Sequence, residues 1–295
     1  MPQYDTAALI SACRVISGEG FRLAERPTRI DVPGIDKQGA EAALADAVRR
    51  MDGLQQRLYA EDRQSLLVIF QAIDGGGKDS TIRAVFSGIN PQGCQVMSFK
   101  APGPEELAHD FLWRHMQALP ARGRIAVHNR SWYEEVLVAR VHADVLARRK
   151  LPARCVSADI WRERLEDIAG FERYLARQGV VVLKFFLHLG KEEQRQRFLA
   201  RIDEPEKNWK FDAHDVAERA HWDAYQRVYE EAVAGTATPH APWFVVPADR
   251  KWLARLIVAE ALVAALTEAD PRYPEPDPKA RALLLRERAK LEKEG

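Results

Sequence analysis

Residues 66–79 read LLVIFQAIDGGGKD and are followed by STIRAVFSGI over 80–89. The run LLVIF is of strand length and does not alternate with polar residues, as a strand buried on both faces of a parallel sheet requires. Beyond the glycines, Ile82, Val85, Phe86 and Ile89 recur at i, i+3, i+4 and i+7, the stripe of an amphipathic helix. Between strand and helix lies a turn of three glycines, which can bend tightly and aim its N–H groups inward. The helix start adds the positive end of its dipole, and Lys78 adds a point charge. Gly75, Gly76, Gly77, Lys78, Asp79 and Ser80 are therefore candidate phosphate-binding residues.

The turn departs from G-x-x-x-x-G-K-[ST] at two places: Ala72 stands at the first glycine, and Asp79 replaces the hydroxyl residue that ligates magnesium. A metal then needs another ligand, and Asp74 offers the hard oxygen that Mg2+ prefers. An Asx-type turn is the alternative role for Asp74, and a first-turn helix acid that for Asp79.

Outward from the turn, apolar patterning predicts further strands over 95–99, 124–128, 180–187 and 243–246. Helices are expected over 39–62, from 104, from about 131, through Trp161 to Leu175, and over 191–202, 216–233 and 252–266. The alternation, taken with the glycine turn and the charged segment after the fourth of these strands, implies an α/β, three-layer, P-loop kinase-like fold: a five-stranded parallel sheet with helices on both faces and a helical lid. Residues 1–40 read as an irregular arm, 41–268 as a P-loop domain with a lid at about 191–213, and 269–295 as a charged tail or helix.

Ligands of such sheets sit beyond the carboxyl ends of the strands, where Lys100 and Asn129-Arg130 fall. Arg130 can grip phosphate with its fork. Ser131-x-x-Glu134 fits a capping box, the structural account of Glu134. Asp110 and Arg114, four apart, fit an ordinary ion pair. Arg195, Arg197, Arg201, Lys207 and Lys210 form either a solvated charged face or a lid that closes over phosphates. The histidines show no metal-ligand spacing and read as structural.

The chain carries 44 Lys+Arg against 43 Asp+Glu, a net charge of +1, with 46% hydrophobic and 29% charged residues. That composition excludes a mainly disordered chain and argues against a general nucleic-acid or membrane-surface binder. Three scattered cysteines, a start (MPQYDTAALI) without the signature of a signal peptide, and no apolar run of spanning length lead to the expectation of a soluble, cytoplasmic protein.

Taken in order, LLVIFQAIDGGGKD (66–79), INPQGCQVMSFKAP (89–102), EELAHDFLWR (105–114), HNRSWYEEVLVARVH (128–142), DEPEKNWKF (203–211) and APWFVVPADRKW (241–252) resemble the polyphosphate kinase 2 family over roughly residues 15–268. The resemblance implies a P-loop kinase core with a lid, Mg2+ dependence, a homo-oligomer, and phosphoryl transfer between inorganic polyphosphate and nucleotides (AMP, ADP, ATP). It implies that Asp74 and Lys78 serve the transferring group. Arg130, Arg197, Arg201, Lys207 and Lys210 would line the phosphate path. Asn129 stands where many members carry aspartate. Asn129 with Glu134 is similar to the subgroup that phosphorylates both mono- and diphosphates, which makes both residues nucleotide-binding candidates. Ser80, where glycine is frequent, is a mild departure. An ATP-dependent kinase of a small metabolite and a catalytically inactive nucleotide-binding module are the alternatives.

Overall fold

The computed structural model describes residues 5–294. The first four residues of the expected arm and of the start MPQYDTAALI, and the last residue of the expected tail, lie outside that range. Six strands, β1 (Arg14–Val15), β2 (Ser65–Gln71), β3 (Cys94–Ser98), β4 (Ile125–Asn129), β5 (Val180–His188) and β6 (Trp243–Pro247), form one sheet in the order β1-β6-β5-β2-β4-β3.

The five strands expected from the sequence run parallel, but the sheet is mixed and six-stranded. Arg14 and Val15 pair antiparallel with Phe244 and Trp243. A two-residue strand has no readable period; the open edge of β6 supplies the partner that defines it. The expected irregular arm is accordingly corrected, since it also holds the helix Thr6–Cys13, whose N-cap Asp5 accepts from Ala8 N at 3.0 Å.

All seven residues of β2 are buried, as its unalternating sequence demands. Phe70, Phe185 and Phe244 stack across β2, β5 and β6 with centroids 5.3 and 5.1 Å apart, tying the central strands together beneath the glycine turn. The helices Lys37–Glu61, Lys78–Phe86 and Lys251–Ala269 pack together as one group, and Ile160–Arg177 packs with Trp222–Thr236 as another. Lys251–Ala269 buries eleven residues, the mark of a helix apolar on nearly every side. Between β5 and Ile160–Arg177, Lys184 Nζ donates to Glu172 Oε2 at 2.5 Å with both groups fully enclosed. Tyr133 and Thr236 complete the network, which anchors the segment carrying Glu134.

Three helical expectations change. Residues from 104 open with a 3-10 turn, Glu106–Ala108, and reach one helical turn at Trp113–Met116; the Glu106 carboxylate turns back to accept from Gly103 N at 2.7 Å. The segment after Ser131 starts as a 3-10 turn, Trp132–Glu135. The single helix expected over 216–233 is divided into Ala213–Glu218, the 3-10 turn Arg219–His221 and Trp222–Thr236. The charged helix of the tail, Pro278–Leu291, buries none of its residues. No helix among the described residues is long and apolar enough to cross a membrane.

Candidate active site

From β2 the chain runs to β3 at one edge of the sheet, whereas from β4 it crosses to β5 on the other side of β2. The connections leave adjacent strands in opposite directions, which opens a crevice at their carboxyl ends. The glycine turn and Asn129-Arg130 both lie at this crevice.

Within the turn, Gly75 and Gly77 have φ of 78° and 92°, the left-handed region that costs glycine nothing. A Cβ on Gly76 would sit 2.4 Å from the Ala72 Cβ, so that position is restricted by contact. Gly76 N is spent on Ile73 O at 3.0 Å. Among the described residues, the amides of Gly75, Gly77, Lys78 and Asp79 have no hydrogen-bond partner and stay open to an anion. Lys78 is buried and donates from Nζ to Ala72 O at 2.8 Å. Burial, and then the Arg130 charge, pull it below the usual lysine range. An ammonium has three donors, so two remain for a ligand.

Arg130 adopts φ of 66°, an uncommon conformation for a residue with a Cβ and one that tends to persist where the surroundings hold it. Its backbone N–H donates to Phe70 O at 3.0 Å, while Nη2 lies 3.4 Å from Asp74 Oδ1.

Two cavities open on either side of this point. The larger, of about 890 Å³, contains Gly75 to Ser80, Lys100, Asn129, Arg130, Arg197, Arg201, Lys207 and Lys210; Arg83 and Lys251 join them, so nine Lys and Arg face five carboxylates. Burial, and then Arg197, lower Lys251 from its ordinary value, the response of a cation crowded by cations. The smaller cavity, of about 610 Å³, is walled by Glu134, Arg114, Arg148, Trp222, Tyr225 and Tyr229 among others. Asp74, Lys100, Arg130, Asp212 and Asp215 belong to both, so the two spaces meet at the end of β2.

Several sequence readings are revised by these positions. Glu134 is no capping-box acid: Ser131 Oγ accepts from Tyr133 N at 3.2 Å, and Glu134 Oε1 accepts from Gln71 Nε2 at 2.9 Å, which turns its carboxylate into the smaller cavity. Asn129 faces the larger cavity and is absent from the walls of the smaller one. Asp110 pairs with no arginine; it caps Leu112 N, and Arg114 reaches Lys100 O and Glu106. Arg197 is buried and committed, donating to Glu193 Oε1, Gly75 O and Ala248 O at 2.8, 3.0 and 2.6 Å, so it braces the turn. Arg201 pairs with Asp215 at 2.7 Å and Lys207 with Glu204. The histidines, read as forming no ligand set, do converge in one place: His142, Glu218 and His221 bring one ligand atom each to within 4.8 Å of one another.

The chain is similar to proteins whose names fit this double cavity. A family model described as polyphosphate kinase 2 matches residues 34–274. The chain belongs to the polyphosphate kinase 2 family. It is 49% identical over 279 residues to the ADP-polyphosphate phosphotransferase of Rhodopseudomonas palustris, covering 94% of this chain and 96% of that one. It is 45% identical over 249 residues to the AMP/ADP-polyphosphate phosphotransferase of Meiothermus ruber, covering 84% and 89%. The crystal structure of polyphosphate kinase 2 from Arthrobacter aurescens superposes with a TM-score of 0.84 at 38% identity, covering 94% of this chain and 96% of that one.

In this member of the polyphosphate kinase 2 family, the carboxylate placed to meet a metal is that of Asp74. Its carboxylate is one-third exposed, lies on the wall common to both cavities, and makes only the long contact with Arg130. Asp215 stands on the same wall, where burial, and then the Asp74 charge, raise it. A hard divalent cation fits that environment. Among the described residues carboxylates do not converge in threes at the turn, which suits an ion held by one or two carboxylates with substrate phosphates and water, as Mg2+ is. Arg83 and Lys251 escaped the sequence reading. Lys251 had a usable signal, since it follows the carboxyl end of β6 by four residues; Arg83 on its helix had none.

Proposed function

We propose that this chain catalyses Mg2+-dependent phosphoryl transfer between inorganic polyphosphate and nucleoside mono- or diphosphates. The observation that carries the proposal is the pair of cavities meeting at Asp74, Lys100 and Arg130. One side has the cationic surplus a long polyanion needs, and the other is a mixed aromatic and polar space of nucleotide size.

Polyphosphate lies along the basic cavity with its terminal group at the glycine turn. The nucleotide occupies the smaller cavity, its phosphate oxygen directed at that group. The attacking oxygen forms a bond to phosphorus as the bridging P–O bond breaks, and polyphosphate leaves one unit shorter. Such chemistry asks mainly for alignment and for neutralisation of charge. The open amides and the two free donors of Lys78 hold the transferring group. Arg130 and Lys100, reaching both spaces, hold donor and acceptor in register. Glu134, oriented by Gln71, reads the acceptor side. Mg2+, held by Asp74, supplies neutralising charge on the phosphate oxygens when bound. The segment Lys191–Asp203 and Pro205–Lys210 serves as a lid that excludes water from the donor.

The test is a donor–acceptor screen with purified chain, Mg2+ and polyphosphate. ATP from ADP, or ADP from AMP, is expected; no product from either acceptor overturns the proposal.

A further inference from the structure

His142 and Glu218 belong to parts of the chain 76 residues apart, yet His142 Nε2 lies 2.9 Å from Glu218 Oε2. His221 stands against His142 with ring centroids 4.9 Å apart. One ligand atom from each of the three falls within 4.8 Å of the others. A fourth group is close: His214 Nε2 lies 3.5 Å from the other carboxylate oxygen, Glu218 Oε1. His142 follows the short helix Val138–Val141 of the body, whereas His214, Glu218 and His221 belong to the return from the lid-forming segment. His142, His214 and Glu218 line the smaller cavity, whereas the three glycines of the turn do not.

We propose that His142, Glu218 and His221 bind a Zn2+-class divalent cation that clips the 212–222 segment to the body of the protein. The donor set selects the ion. Imidazole nitrogen with one carboxylate oxygen suits zinc and its transition-metal neighbours, whereas Mg2+ takes oxygen ligands and keeps its waters. Ligand bonds of about 2.0–2.2 Å to a central ion ask only for small side-chain adjustments from the present spacing. Second, Tyr225 OH donates to Glu218 Oε2 at 2.8 Å, the outer hydrogen bond that orients a ligating carboxylate. Third, three protein ligands leave a coordination position, and His214 is placed to occupy it. The site is independent of the Asp74 ion and stands whether or not polyphosphate is the donor.

Full-length chain is stripped with EDTA, freed of chelator, and titrated with Zn2+ without nucleotide or polyphosphate. One Zn2+ per chain should bind and raise the thermal midpoint. Co2+ in its place should give the strong visible absorption of a four-coordinate site. Mg2+ at about 1,000-fold excess should not displace it, given its preference for oxygen. His221 is exposed, so His221→Ala should leave the fold intact while weakening Zn2+ by more than about 100-fold; Tyr225→Phe should weaken it by about 10- to 100-fold. Equal affinity in the parent and His221→Ala overturns the proposal. So does an absence of one-to-one binding, or a weak six-coordinate Co2+ spectrum.

Discussion

Asn129 Nδ2 donates to Asp79 Oδ1 at 2.6 Å, joining the carboxyl end of β4 to the first turn of the helix that leaves the glycine loop. A neutral amide here meets the Asp79 carboxylate as a donor, with no second acid beside it. In Asn129→Asp, two carboxylates would share the site, which requires a bound proton or a cation. The variant is expected to lose about 1–3 kcal/mol of stability in EDTA and to recover most of it with Mg2+. Thermal unfolding with and without Mg2+ checks this; an equal Mg2+ response in parent and variant would count against it.

Lys78→Ala removes the cation aimed at the transferring group. Turnover should fall by about 100- to 1,000-fold, the scale of losing one charge-stabilising donor. The loss of its hydrogen bond to Ala72 O is offset by relief of a cation that burial disfavours, so the unfolding midpoint should barely move. Steady-state kinetics beside a melting curve separates the two effects.

Lys251 and Lys210 line the basic cavity and not the smaller one. Lys251→Ala should raise KM for polyphosphate and leave KM for the nucleotide unchanged. By analogy with counterion release at nucleic acids, the log–log slope of polyphosphate affinity against salt should drop by about one. A matching rise in nucleotide KM would show that the cavities are assigned wrongly.

His115 and His128 are enclosed as neutral rings, and burial holds them down to about 2 and about 4 respectively. The unfolded chain protonates each near 6.5 while the folded chain does not, so stability falls as pH drops below 6.5. The loss is about 1.4 kcal/mol per pH unit for each ring. It continues to about pH 4 for His128 and about pH 2 for His115. His115→Phe should flatten the dependence of the urea midpoint on pH between 6.5 and 4.5; an unchanged slope would refute the account.

Much of the fold was legible because its signals are local. The LLVIF run, the glycines and the 82–89 stripe each act through the preferences of a few consecutive residues, and together they place a strand, an anion-accepting turn and a helix. The same holds for β3 to β6 and for the Lys37–Glu61 and Lys251–Ala269 helices. Lys100 and Arg130 were legible as well, since parallel strands must end at one edge of the sheet. Edge strand β1 was not, because its two residues acquire their conformation only from β6.

Side-chain commitments were decided in three dimensions. A charged residue's partner depends on which chain segments meet, and one-dimensional spacing offers only the i, i+3 and i, i+4 neighbours. Thus Arg197, expected to line the phosphate path, does stand on the wall of the basic cavity, but its donors are held by Gly75 and Ala248. Glu134 left its capping role for Gln71, and Asp110 and Arg114 parted. By itself the sequence determined the sheet core, the glycine turn and the surplus of cations near it. Only the tertiary structure divided the crevice into two cavities and brought His142 to Glu218, because burial and desolvation act on groups whose neighbours lie far away along the chain.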